Sequence, residues 1–152
     1  MTTVRDIMTE KVVTVLEGTT VKDLCRLLGE FNISALPVVS EEGRLAGIVS
    51  EKDVIAYHVA SLEPDFVDPD IYELISSKYL GHDDLYPRSE RIFVEEIMNR
   101  DVVTVGPDAQ IDDASRLLLE KELHRLPVVE DGKVVGIISS LDLLRVKTCQ
   151  KP

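Results

Sequence analysis

Two stretches of this chain finish on the same polar pair, a serine and, three residues later, an aspartate: Ser50 and Asp53 in "GIVSEKD", Ser139 and Asp142 in "GIISSLD". At the start of a helix this pair can act as a capping box, the hydroxyl accepting from a free amide and the carboxylate favoured by the helix N-terminus. The same groups also suit a ribose phosphate, because the hydroxyl and first-turn amides offer an anion cradle while the carboxylate grips a vicinal diol. Both readings stay open on chemistry alone. Ahead of the second copy, "HRLPVV" adds His124 and Arg125, and a permanently charged guanidinium matches phosphate oxygens. The first copy carries Ser34 and Ala35 there, so phosphate contact at that corner would need Lys52 or the other half.

The remaining reactive side chains do not assemble into catalytic patterns. There are three histidines in all, and no H-E-x-x-H, no G-x-S-x-G and no glycine-rich phosphate loop. His58 and His82 lack partners at ligand spacing and read as structural or solvent-facing. Cys25 lies on an apolar helix stripe and reads as packing, while Cys149 is far from it, with no metal-ligand spacing and no disulfide framework. The expectation is a binding module rather than an enzyme, with no metal and no required cofactor.

The elements that must position these residues occur twice. A shift of 90 residues lays "DIMTEKVVTV" over "EIMNRDVVTV" and "LPVV" over "LPVV"; past the Gly43 and Gly132 turns the shift becomes 89. Each copy reads as a short helix, a strand (Val12 to Val15, Val102 to Val105), an amphipathic helix, a hairpin and a closing helix. The first amphipathic helix carries Val21, Leu24, Leu27, Leu28 and Phe31 on one stripe, with Thr20 as N-cap and Asp23 three residues on. The second carries Ile111, Ala114, Leu117 and Leu118. Pro37 and Pro127 are expected at the first, non-ladder position of their strands, since proline donates no hydrogen bond. Half-size units of this kind cannot hide both sheet faces alone. The fold class is therefore α+β, two β-α-β-β-α repeats packed about a pseudo-twofold axis through their sheets. The boundaries are residues 1–60 for the first repeat, 61–93 for an acidic inserted linker and 94–152 for the second repeat. Within the linker a helix is expected from Asp70 to Tyr79, with Tyr79 and Tyr86 either tacking the segment down or covering a ligand or partner surface.

The chain has 152 residues and a formal charge of -11. Ten acidic against three basic residues between Ser61 and Glu96 supply -7 of that, leaving -4 for the rest, so a local anion site elsewhere is compatible with the bulk charge. The acidity and the 5% aromatic content argue against nucleic acid as a partner. No apolar run approaches the roughly 20 residues of a membrane span, and a cytoplasmic location is expected.

Two copies of "LPVV" in register, each closing on G-h-h-S-x-x-D, resemble tandem cystathionine-beta-synthase domains, the CBS pair or Bateman module; the likeness covers residues 4–59 and 94–147. The resemblance implies that Asp53 and Asp142 hold ribose hydroxyls and that Ser50 and Ser139 approach phosphate. It also implies a cleft lined by Ser34, Ala35 and Pro37 in one copy and by His124, Arg125 and Pro127 in the other. By the same likeness the base rests on the opposite repeat, so that Thr14, Val15 and Thr19 face the Asp142 site, and Val105 and Ala109 the Asp53 site. The implied function is a stand-alone regulatory module that binds AMP, ADP or ATP between its repeats and signals to a regulated enzyme or transporter. Homodimerisation is expected through Val54, Ile55, Leu143 and Leu144. The alternatives are a ligand-free dimerisation scaffold and an S-adenosylmethionine or dinucleotide sensor.

Overall fold

The structure is a computed structural model describing residues 1–60 and 92–149. The helix expected from Asp70 to Tyr79, Tyr86 and His82 lie outside the described residues, as do the side chains of His58 and Cys149. In chain order the elements are α1 (Val4–Ile7), β1 (Val15–Leu16), α2 (Val21–Glu30), β2 (Ala35–Val39), β3 (Leu45–Ser50), α3 (Glu51–Ala60), α4 (Val94–Ile97), α5 (Ile111–Glu120), β4 (Arg125–Glu130), β5 (Lys133–Ser139) and α6 (Ser140–Cys149). Helix and strand are mixed within each half, the α+β class expected from the sequence.

The described residues fall into two compact units whose boundaries differ from those of the sequence repeats. Residues 14–40, 46–60 and 92–100 form the first-repeat unit; residues 1–13, 41–45 and 101–149 form the second-repeat unit. Each short leading helix therefore packs in the unit of the other copy. In the second-repeat unit, the Val4 amide donates to Ala109 (2.9 Å), the Arg5 amide to Pro107 (2.8 Å), and Thr9 and Ile137 exchange amide bonds at 2.9 and 3.0 Å. In the first-repeat unit, the Val94 amide donates to Thr19 and Ile48 exchanges amide bonds with Asn99, all at 2.9 Å. Val4 and Val94 are both fully buried. Glycine makes this seating possible, since a Cβ on Gly136 would lie 2.5 Å from Met8 Sδ and one on Gly47 would lie 2.6 Å from Met98 Sδ. The α1 arm is further tied by Arg5, which pairs with Asp108 at 3.3 Å and Glu130 at 2.8 Å.

Proline sets the extent of the first strands. β1 pairs parallel with β2, Val15 against Val38, and the first-repeat sheet runs in the order β1-β2-β3. In the second-repeat unit only a single parallel bridge forms, Val105 with Val128. There the Val105 amide donates to Pro127 (3.1 Å) and the Val129 amide to Val105 (3.0 Å). One step upstream the ladder would need an amide on Pro127, and one step downstream an amide on Pro107; neither exists. At the matching downstream step in the first copy, Glu17 has an amide and bonds Val39 at 3.0 Å, so β1 gains a second residue. The strands expected over Val12 to Val15 and Val102 to Val105 thus shrink to two residues and one. Pro37 and Pro127 sit third in their strands, not first, and are fully buried. Their missing donors point at the short neighbour instead of at the hairpin.

The amphipathic helices behave as their stripes demand. Thr20 accepts from the Asp23 amide (3.2 Å), and Val21, Leu24 and Leu28 are buried. Phe31 departs from the stripe and is 48% exposed, because it caps the helix and Asn32 turns the chain with φ 52°. In α5 the buried positions are Ala114 and Leu118, which join Val4, Val105, Leu126, Val128, Ile138 and Leu143 in one core cluster.

Candidate functional site

Each hairpin ends by delivering its serine to the start of the closing helix. Ser50 donates to Asp53 Oδ2 through its amide (2.8 Å) and its hydroxyl (2.9 Å), and the Asp53 amide donates back to Ser50 Oγ (3.3 Å). Ser139 and Asp142 repeat the motif at 2.8, 2.7 and 3.3 Å. The capping box is therefore formed in both copies, and it uses only Oδ2 of each carboxylate. Oδ1 is left outside it; that of Asp142 lies 3.6 Å from Arg145.

The anion cradle is smaller than the sequence suggests. The Glu51 amide donates to the Ser34 carbonyl (2.9 Å) and the Ser140 amide to the His124 carbonyl (3.0 Å). With the Asp53 and Asp142 amides spent on serine, Lys52 and Leu141 supply the only amides of the first three helical positions that stand outside these bonds. Each serine hydroxyl is likewise spent on its own aspartate. A phosphate would have to compete with these bonds or meet a cation instead.

The hairpin register supplies a candidate: Arg125, the first residue of β4, pairs directly with Ser139, the last of β5, at the corner where the Ser139–Asp142 box closes. At the matching position in the first copy, Ala35 opens β2 and adds no charge. His124 contributes its carbonyl to the corner. It also lines a groove of about 640 Å³ between α5 and α6, with Leu118, Leu119, Leu123, Leu143 and Leu144; Arg125, Ser139 and Asp142 do not border it.

The strand and loop residues expected around the base fall with the aspartate of their own copy. Val15, neighboured by Thr14, pairs with β2 close to Pro37, and Thr19 receives the Val94 amide; all three belong to the unit that contains Asp53. Val105, which receives the Val129 amide and donates to Pro127, and Ala109 belong to the unit that contains Asp142. The residues that sequence reasoning passed over are those of the arms, Met8 and Met98, and Leu119 of the α5–α6 groove. A signal for the latter is present in "LLLE" of α5 against "LLGE" of α2. Cys25 is partly buried, and burial, with Glu51 adding, pushes its thiol up to about 11, as fits a packing role.

A family model for the CBS domain matches residues 4–60 and 94–148, both copies of the repeat. The chain belongs to the CBS domain family. Protein MJ1426 of Methanocaldococcus jannaschii is 33% identical over 149 residues, covering 93% of this chain and 88% of the relative. The crystal structure of CBSX2 in complex with AMP matches with 30% identity and a TM-score of 0.75 over the whole of both chains. The CBS domain pair of protein MJ0100, in complex with 5'-methylthioadenosine and S-adenosyl-L-methionine, matches with 27% identity and a TM-score of 0.71 over 99% of each. No helix among the described residues is long and apolar enough to cross a membrane.

Proposed function

We propose that this CBS pair is a regulatory module of the cytoplasm. It binds an adenosine-containing ligand, with AMP, ADP or ATP as the first choice, at the two Ser-x-x-Asp corners and passes the change to a partner protein. Asp53 and Asp142 would take ribose hydroxyls on Oδ1, the oxygen the capping box leaves over. Thr14, Val15, Thr19, Ala35, Pro37, Val105, Ala109, His124, Pro127 and Ser139 are the proposed surroundings of the ligands. The observation that carries the reading is the register of Arg125 on Ser139, which pairs an arginine with the serine of the Ser139–Asp142 motif. The likeness to CBSX2, whose structure contains AMP, supports the ligand class. The likeness to MJ0100 favours a second reading, S-adenosylmethionine or methylthioadenosine, which shares the ribose and lacks the phosphate. The module works as a homodimer and performs no chemistry of its own.

A charge-assisted bond is worth about 1.5–3 kcal/mol, or roughly 10- to 100-fold in affinity, before screening by solvent. Calorimetry of the wild type with AMP, ATP, adenosine and S-adenosylmethionine, repeated with Asp142→Ala, Asp53→Ala and Arg125→Ala, tests it. The expected result is loss of the tighter event in Asp142→Ala, loss of a weaker one in Asp53→Ala, and a selective loss of AMP and ATP in Arg125→Ala. Unchanged binding in Asp142→Ala refutes the site. Retained S-adenosylmethionine binding with no nucleotide binding selects the second reading.

A further inference from the structure

We infer that Arg145 is a specificity-determining residue of the second corner, an internal counter-ion that a ribose has to displace, so that the two corners sort adenosine ligands by whether they carry phosphate; this rests on the ribose contact proposed above for Asp142. Oδ2 of Asp142 is already held by the Ser139 amide at 2.8 Å and the Ser139 hydroxyl at 2.7 Å, which leaves Oδ1 for a ligand. Arg145 Nη1 stands 3.6 Å from that oxygen. A spacing of three residues puts both side chains on one face of α6, so the pairing is built into the helix. The carboxylate side chain is 16% exposed and that of the arginine 78%. A largely buried anion is thus paired with a cation that can swing into water at small cost.

The first corner is built without this pair. Asp53 Oδ2 is engaged in the same way, by the Ser50 amide at 2.8 Å and hydroxyl at 2.9 Å. The residue in register with Arg145 is Ala56, which carries no charge, and Lys52, adjacent to Asp53 in the chain, does not share its helix face. At the second corner a neutral riboside gives up the Arg145 pair and offers only hydroxyls in exchange. A riboside that carries phosphate repays the loss, because it brings an anion for the guanidinium to meet. The order of the two corners is then opposite for two ligands: adenosine prefers the Asp53 corner and AMP the Asp142 corner.

Calorimetry of the full chain with adenosine and AMP reads each corner alone, Asp53→Ala leaving the second and Asp142→Ala the first, with circular dichroism confirming that each variant is folded. Adenosine should bind the first corner more tightly and AMP the second. Arg145→Ala added to Asp53→Ala should raise the adenosine affinity about 2- to 5-fold, the range of an exposed ion pair. Ala56→Arg added to Asp142→Ala should lower it by a similar factor. Salt screens an exposed pair, so added salt should raise adenosine affinity in Asp53→Ala and leave it unchanged once Arg145 is also replaced, a response that a merely structural role for Arg145 would not give. Adenosine affinity that is unchanged or lower on removing Arg145, with AMP still bound, overturns the counter-ion role while the Asp142 site stands. A single corner preferred by both ligands overturns the sorting. Loss of both ligands in Asp53→Ala refutes the second corner as a site and the role of Arg145 with it.

Discussion

Replacing Gly47 with alanine probes the joint between α4 and β3, the strand that delivers Ser50. The new Cβ would stand 2.6 Å from Met98 Sδ, 3.0 Å from Met98 Cγ and 2.9 Å from the Asn99 carbonyl. The thioether can rotate away, but the carbonyl cannot move freely because it accepts the Ile48 amide at 2.9 Å. Overpacking of this kind costs about 1–3 kcal/mol. Removing a strand glycine returns about 0.5–1 kcal/mol through the unfolded chain. Because the carbonyl is held, the upper half of that cost applies, about 2–3 kcal/mol, and the net loss is about 1–2.5 kcal/mol. At roughly 2–4 °C per kcal/mol for a chain of this size, the melting temperature should fall by about 2–10 °C. Gly136→Ala is the internal control, since its Cβ would meet Met8 Sδ at 2.5 Å but the Thr9 carbonyl only at 3.2 Å. It should lose less, and Met8→Ala should restore most of that loss, whereas Met98→Ala should restore Gly47→Ala only in part. Thermal denaturation by circular dichroism reads the series. A Gly47→Ala protein as stable as the parent, or a larger loss at Gly136, would refute the account of how the arms are seated.

Further outcomes follow from the same geometry. Val4→Ala removes two methyl groups from a fully buried site and should cost about 1–3 kcal/mol in denaturant unfolding, with faster amide exchange at Leu126, Val128 and Ile138 than at their first-repeat counterparts. Ser139→Ala should cost about 1 kcal/mol as a lost cap, measured by chemical denaturation, even with no ligand present. In a Cys149→Ser background, Cys25 should react with a disulfide reagent about 100-fold more slowly at pH 8 than a thiol at its ordinary value of 9.0. Because the folded thiol holds its proton more tightly than the unfolded one, stability conferred at Cys25 is complete below pH 9 and is lost as pH rises from 9 to about 11. The Asp6 carboxyl is held below its ordinary value of 3.8 by the Thr3 amide and hydroxyl. Its contribution is present above that value and is lost as pH falls through the lower folded one, so Asp6→Asn should flatten the acid limb of the melting curve.

The Ser-x-x-Asp corners of the candidate site were readable from the chain because they are local. Serine and aspartate three residues apart at a helix start close on each other whatever surrounds them, and both copies do so with nearly the same distances. The repeat, the α+β class and the stripes of α2 and α5 follow from residue spacing for the same reason: periodicity is a property of the chain's own geometry. What the tertiary structure decided involves partners far apart in sequence. The likeness of "DIMTE" to "EIMNR" shows that two arms exist, but not that each docks in the unit of the other copy, because an arm's partner is chosen by buried contacts such as Met8 on Gly136. The lengths of the first strands also depended on pairing, since only the register of Val105 on Val128 shows which amides Pro107 and Pro127 withhold. The cradle shrank for a like reason: the Ser140 amide is used by the His124 carbonyl, 16 residues earlier in the chain, and only the closed hairpin brings them within 3.0 Å.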